Sequence, residues 1–285
     1  MHIGLIIVGD EILSGKREDK HLPKVIALLA ARGLSLAWAR YVGDDPARIT
    51  ADLKDAFASG DAVFSCGGIG ATPDDHTRQC AAAALGRTVE LHPEARDLIL
   101  ERMRDLAAEK GIPYEPDRAD NVHRLNMGVF PQGAEIIPNP FNKIAGFSVA
   151  SPALAAEPGA GVYFVPGFPV MAWPMIEWVL DVKLAHLHHL DARGERSVIV
   201  FGAMEAALTP LMQAVEAEFP GVKVFSLPSV DHPEWGAHIE LGVKGATAVL
   251  TAAYARLRAG LDSLGARLGP ELVRCCAKTV EFAPK

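Results

Sequence analysis

The chain has 285 residues, 49% hydrophobic and 22% charged, with a formal net charge of −7. That composition describes a globular protein with room for one large domain or two unequal ones; the acidic balance and the lack of a basic run exclude a nucleic-acid surface, and no apolar run is long enough for a membrane span. The four cysteines (Cys66, Cys80, Cys275 and Cys276) have neither metal-ligand spacing nor the look of a disulfide framework, which predicts a reducing, cytoplasmic setting.

Residues 3–8 form a short apolar run without a basic leader, which predicts a first strand and not a signal peptide. Residues 22–32 predict a helix ended by Gly33, and residues 34–42 a second strand. Residues 46–59 predict a helix with Asp44 or Asp45 at its cap. Residues 62–66 are a third strand, followed by a helix from Asp74, and residues 93–110 are strongly helical and rich in charge. Short apolar runs at 134–137, 147–150 and 162–165 predict further strands, and residues 170–186 a helix. Strands alternating with helices predict an α/β domain over residues 1–189, a three-layer arrangement around a mostly parallel sheet. Ligands of such sheets sit beyond the carboxyl ends of the strands. The strands ending at Val8, Val42, Cys66 and Val165 run straight into glycine, aspartate or proline, so their four loops are expected to converge on one site.

Composition shifts near residue 190, where residues 191–196 make a polar break around Gly194. Beyond it the pattern predicts a strand at 197–201, a helix at 204–219, strands at 222–227 and 237–243, and a helix at 247–264. That βαββα order predicts a small α+β domain over residues 190–285, with no element assigned to the tail from Pro270. It carries no obvious chemical cluster, which suits a helper, dimerising or lid-like role.

The richest stretch is Cys66-Gly67-Gly68-Ile69-Gly70-Ala71-Thr72-Pro73-Asp74-Asp75-His76-Thr77. Glycines at a strand-to-helix junction leave backbone N–H groups free for a ligand, and a helix start adds partial positive charge. Thr72 suits the N-cap, Pro73 the first helical position, and Asp74 and Asp75 the first turn. Two carboxylates there would repel a phosphate unless a divalent cation lay between them. The stretch therefore reads either as a phosphate-bearing ligand held by glycine amides and bridged through metal to an aspartate, or as a well-capped helix.

Other motifs fall short. Gly9-Asp-Glu-Ile-Leu-Ser-Gly15-Lys16 has one residue too many for a P-loop, and Arg17 stands where a magnesium-binding hydroxyl is needed. Gly68-Ile-Gly70 lacks the third glycine of a dinucleotide fingerprint. His186, His188, His189 and Asp191 lie at a helix end, where histidines also suit the helix dipole. No serine nucleophile elbow or catalytic-thiol pattern occurs.

What remains is a series: Gly9-Asp10-Glu11-Ile12-Leu13-Ser14-Gly15, Val42-Gly43-Asp44-Asp45, residues 67–77, Asn139-Pro140 with Gly146-Phe147, and Val165-Pro166-Gly167-Phe168-Pro169. The series resembles the molybdopterin-binding fold of molybdenum-cofactor biosynthesis proteins, and within it the competence/damage-inducible protein A (CinA) branch. The resemblance covers about the first two-thirds of the chain; the small domain is similar to the one that follows in that branch. The third domain of full-length members, an amidohydrolase acting on nicotinamide mononucleotide, is expected to be absent.

The resemblance implies a homo-oligomer that binds molybdopterin or a pyrophosphate-containing nucleotide, while composition and hydropathy predict a cytoplasmic chain with no nucleic-acid or membrane partner. It implies either metal-dependent hydrolysis of an ADP-ribose-like diphosphate or adenylyl transfer to molybdopterin; a non-catalytic nucleotide-binding module is the third reading. Asp75 and Asp44 match the residues that matter for catalysis, and Asp75 with Asp10 would hold a magnesium, manganese or cobalt ion. Gly9, Asp10, Glu11, Gly67, Gly68, Gly70, Thr72, Asp74, Thr77, Asn139, Lys143, Gly146, Pro166 and Gly167 are the implied ligand-binding set, with Lys143 adding positive charge if its loop closes over the site. Three departures stand out. Residues 142–146 read Asn-Lys-Ile-Ala-Gly where the branch has Gly-Thr-Ala-Pro-Gly, Asp19-Lys20-His21 replaces Asp-Thr-Asn, and Ala71 replaces proline.

Overall fold

The computed structural model describes residues 1–152, 158–188, 193–275 and 278–281. Two compact units emerge, one made of residues 1–29 and 35–187 and the other of residues 30–34 and 188–285. His189, Asp191 and Cys276 lie outside the described residues.

The first unit runs β1 (Ile3–Val8), α1 (Asp10–Leu13), α2 (His21–Ala30), β2 (Trp38–Val42), α3 (Pro46–Ser59), β3 (Ala62–Cys66), α4 (Thr77–Leu85), β4 (Val89–Leu91), α5 (Pro93–Lys110), α6 (Ala119–Arg124), β5 (Val129–Pro131), β6 (Glu135–Ile137), β7 (Gly146–Ala150), β8 (Gly161–Val165) and α7 (Pro169–Trp178). Its main sheet has the order β2-β1-β3-β8-β7-β6. The pairs β2–β1, β1–β3 and β3–β8 are parallel, while β7 and β6 add antiparallel pairs at one edge. β4 and β5 form a separate antiparallel pair. Ile6, Val8, Val63, Val162 and Phe164 pack with residues of α3 and α4 in one core. The alternate residues Leu5, Ile7 and Phe64 are as deeply buried, as a sheet lying between two helical layers requires. A stack of Phe130, Phe147 and Phe164, with ring centroids 4.6 and 4.4 Å apart, fills the centre of the core.

Local sequence explains most boundaries. Asp45 accepts from the Arg48 amide at 2.8 Å, Pro46 opens α3, and Gly60 closes it in the left-handed conformation. Two expectations need correcting. The predicted strand from residue 34 starts only at Trp38. The helix expected from Asp74 starts at Thr77, so Thr72 is not its N-cap. Residues 72–75 instead close a turn on themselves, with the Asp75 amide donating to the Thr72 carbonyl at 3.0 Å and the Asp75 carboxylate accepting from the Thr72 amide at 2.8 Å and its hydroxyl at 2.5 Å. The acidic pair satisfies its own loop better than it caps a helix.

The second unit contains β9 (Arg193–Phe201), α8 (Glu205–Glu218), β10 (Lys223–His232), β11 (Gly236–Ala246), α9 (Thr247–Ser263), β12 (Arg267–Cys275) and β13 (Lys278–Glu281). Its antiparallel sheet has the order β10-β11-β9-β12-β13. Val198, Val200, Leu241 and Val243 pack with Leu208, Leu211, Tyr254 and Leu257 of its two helices. The tail from Pro270, for which the sequence predicts no element, carries part of β12 and all of β13, making the order βαββαββ. Its Gly269-Pro270 pair masked the signal, because the β12–β9 register breaks between Leu268 and Glu271. No helix among the described residues is long and apolar enough to cross a membrane.

Candidate functional site

The parallel register sets Val8 level with Val42, Ile7 with Cys66, and Cys66 with Val165. Four strands therefore end in line, and the loops after them open one cleft of about 620 Å³. It is bounded by Gly9 and Glu11 after β1, Asp44 after β2, residues 67–72 with Asp74 and Asp75 after β3, and Pro166 and Gly167 after β8.

The loop after β3 is pinned from behind. The Thr77 hydroxyl donates to the Gly67 carbonyl at 3.2 Å, the Thr77 amide to the Gly68 carbonyl at 3.0 Å, and Arg78 Nη1 to the Ile69 carbonyl at 2.7 Å. In a trans peptide the C=O and the following N–H point in opposite directions. Tying back these three carbonyls therefore turns the amides of Gly68, Ile69 and Gly70 away from α4. All three residues line the cleft, and none of these amides has an acceptor among the described residues. Gly67 and Gly68 have φ of 107° and 67°, a region open to glycine, and a Cβ on Gly68 would collide with the Thr77 hydroxyl. Successive amides in this arrangement form an anion-binding concavity.

Carboxylates gather at the same cleft and in the groove beside it. Asp10 and Asp44 bond reciprocally, the Asp10 amide to Asp44 Oδ2 at 3.0 Å and the Asp44 amide to Asp10 Oδ1 at 3.1 Å. This exchange fastens the first loop to the second. Burial raises the pKa of Asp44, and the charges of Asp10, Glu11 and Asp74 raise it further, against the Asp10 amide. Asp74 is held below the usual carboxylate range by the Thr72 side chain, which it shares with Asp75, and by its own backbone amide.

Of the residues implied by resemblance, Gly9, Glu11, Asp44, Gly67, Gly68, Gly70, Thr72, Asp74, Asp75, Pro166 and Gly167 meet at the cleft. Asp10 lies in an adjoining acidic groove with Leu13, Ser14 and Lys16. Thr77 is buried beneath the loop. Asn139 is buried too, its amide holding Asn142 at 2.8 Å and the Ile144 carbonyl at 2.9 Å. Gly146 lies in β7, where a Cβ would strike the Phe164 carbonyl. Lys143 is placed differently from its expected role. Its ammonium pairs with Glu101 at 2.7 Å and Asp105 at 2.6 Å on α5, which consumes its charge and clamps its loop to that helix.

Sequence reading missed one wall of the cleft. Ile99, Arg102, Met103 and Leu106 of α5, with Arg124, Met127, Phe141, Phe168 and Met171, make a largely apolar surface edged with cations. Arg102 pairs with Glu109 at 2.8 Å, whereas Arg17 and Arg124 have no carboxylate partner among the described residues. The i, i+3, i+4, i+7 spacing of Ile99, Arg102, Met103 and Leu106 was a legible signal of one helix face.

Among the described residues no three His, Cys, Asp or Glu side chains are grouped to hold a metal ion. Magnesium at phosphates commonly takes one or two carboxylates and completes its shell with ligand oxygens and water. A cage made by the protein alone does not fit.

Residues 4–186 match the profile of a family described as "Probable molybdopterin binding domain". The chain is similar to the CinA-like protein of Syntrophotalea carbinolica, 30% identical over 238 residues that make up 79% of this chain and 53% of that protein. It is similar to the CinA-like protein of Anaeromyxobacter dehalogenans strain 2CP-C, again 30% identical, over 90% of this chain and 59% of that one. The chain thus spans between half and three-fifths of these relatives. Among solved structures it is similar to the protein CinA, of unknown function, from Thermoplasma acidophilum, with a TM-score of 0.51, 24% identity, and coverage of 64% of this chain and 98% of that one. That likeness shows a shared fold. The chain belongs to the molybdopterin-binding-domain family, in its CinA-like branch.

Proposed function

Starting from that membership, we propose that the cleft binds a pyrophosphate-containing nucleotide of the ADP-ribose type and hydrolyses its diphosphate with the help of a divalent cation. The observation that carries this reading is the row of free Gly68, Ile69 and Gly70 amides in the cleft lining, turned away from α4 by three carbonyls tied to Thr77 and Arg78. Such a row offers several parallel donors at fixed spacing, which suits the oxygens of a phosphate. Arg17 and Arg124 add positive charge to the cleft lining. The volume of about 620 Å³ admits a ligand of dinucleotide size. Phe141 and Phe168 are more than half exposed in the cleft and offer flat apolar faces to a heterocyclic base.

A cation held between ligand phosphates and Asp75, with Asp10 or Asp44 beside it, would neutralise charge on the diphosphate. The chain's own groups do the rest. The amides fix the phosphate while water attacks phosphorus in line; a new P–O bond forms, the bridging P–O bond breaks, and its electron pair leaves with the departing phosphate. Asp44, made more basic by burial and its acidic neighbours, accepts the proton of that water. A homo-oligomer is part of the same proposal, and sedimentation of the full chain tests it.

The test is a dinucleotide panel incubated with magnesium, manganese or cobalt. Release of AMP from ADP-ribose, abolished by chelator, is the expected result. A pterin bound without AMP release would favour cofactor assembly. Nucleotide binding indifferent to chelator, with no product, would leave a binding module.

A further inference from the structure

Arg78 lies behind the glycine bend, and its charge is unused in the reaction above. Its side chain is buried, with 3% of its surface exposed. Nη1 holds the Ile69 carbonyl at 2.7 Å, Nε is buried without a partner, and no carboxylate among the described residues pairs with the guanidinium. Guanidinium keeps its proton even when burial opposes it. A buried charge without a counter-ion is costly, and folds that keep one give it a partner. The charge of Asp75 acts on Arg78 without forming an ion pair, and the carbonyl that Arg78 holds leads directly into the Gly70 amide.

We propose that Arg78 is the positioning residue and buried counter-charge of this anion cradle: through the Ile69 carbonyl it aims the Gly70 amide, and its unpaired charge makes the cradle select polyanions. The inference rests on the proposed binding of a diphosphate at the bend. It adds a basis for selectivity, because a buried charge behind neutral amides rewards each added ligand charge in a medium that screens poorly. Burial lowers the pKa of Arg78, and the charge of Asp75 offsets part of that effect.

The experiment measures binding of adenosine, AMP, ADP and inorganic pyrophosphate to the full chain by calorimetry. Wild type is compared with Arg78→Met and Arg78→Lys, and each variant is also melted. For Arg78→Met the expected losses are on the order of tenfold or more for ADP and pyrophosphate and less than about twofold for adenosine. Its melting temperature should stay at or above that of wild type, because an uncompensated buried charge has been removed. Arg78→Lys keeps the charge and loses the planar donor, so it should preserve the ligand order while weakening all the anions. Equal losses for adenosine and ADP, or unchanged pyrophosphate binding in Arg78→Met, would overturn the proposal. So would lower melting temperatures for both variants with the ligand order intact. Pyrophosphate bound by wild type with no adenylate bound would sink the nucleotide reading alone; wild type that binds no pyrophosphate overturns the cradle itself.

Discussion

Replacing Asp75 by asparagine separates chemistry from structure at this cleft. Asp75 Oδ2 accepts from the Thr72 amide at 2.8 Å and the Thr72 hydroxyl at 2.5 Å. An asparagine oxygen can accept both bonds, so the turn keeps its shape and loses only charge assistance. Bonds to charged groups contribute about 1.5–3 kcal/mol and neutral ones about 1 kcal/mol, and partial exposure shrinks the difference. The expected cost to folding is therefore about 1 kcal/mol, read as a small shift in urea midpoint at constant slope. Turnover is another matter. A carboxylate that positions a cation or water at the reacting phosphate should be worth on the order of 100-fold or more. AMP release from ADP-ribose, followed by chromatography with each metal in excess, measures it. Turnover within tenfold of wild type would refute the role given to Asp75. A loss of stability as large in Asp75→Asn as in Asp75→Ala would make the residue structural.

Gly68→Ala should cost about 1–2 kcal/mol for its left-handed backbone, because φ is 67°. It should also abolish pyrophosphate binding by displacing the Thr77 hydroxyl; calorimetry that finds the anion still bound would exclude the amide row. Phe147→Ala removes the middle ring of the three-ring stack and should lower stability by about 3–5 kcal/mol in a denaturant titration. Asp61 sets the acid limit of the first unit: burial pushes its carboxyl up, but bonds from Trp38 Nε1 and the His2 amide, each 2.9 Å, prevail and hold its pKa down. A depressed acid stabilises the fold above its unfolded pKa of about 4 and loses that contribution as pH falls through the folded value. Wild type should therefore exceed Asp61→Asn in stability at neutral pH, with the gap closing below about pH 4 in melts followed by tryptophan fluorescence.

The sequence was most legible where local chemistry and tertiary demand agree. Residues 46–59, 62–66 and 93–110 fold with the bounds that caps, glycines and periodicity indicate, since Asp45, Pro46, Gly60, Pro93 and Gly111 each satisfy a helix end or turn locally. The convergence of four loops was legible for the same reason, because parallel strands of similar length end together. Long-range partners were not. Nothing in the order Asn142-Lys143-Ile144 announces that its lysine will meet Glu101 and Asp105, some 40 positions away. Lys143 is also the one non-glycine residue with positive φ among the described residues, at 65°. A loop that must reach α5 accepts a backbone that its sequence does not favour. Arg17 and Arg124 were invisible for a related reason, being isolated cations whose meaning comes only from the cleft they edge.

The helix start at Thr77 joins these threads. Thr72-Pro73-Asp74-Asp75 has a strong local preference for opening a helix, and the fold declines it. Had α4 begun there, its first turn would have set two carboxylates on the helix axis, facing the oxygens that the bend is suited to hold. Starting at Thr77 instead lets Thr77 and Arg78 reach back and tie three carbonyls of the bend. The acids then close their own turn beside the cleft, with Asp75 bonded to Thr72. The amides of the bend thereby stay free as donors, while Asp75, beside Gly70, spends acceptor capacity on Thr72. A local preference overridden at the mouth of a cleft, at the cost of a weaker cap, marks a place where the fold serves a ligand.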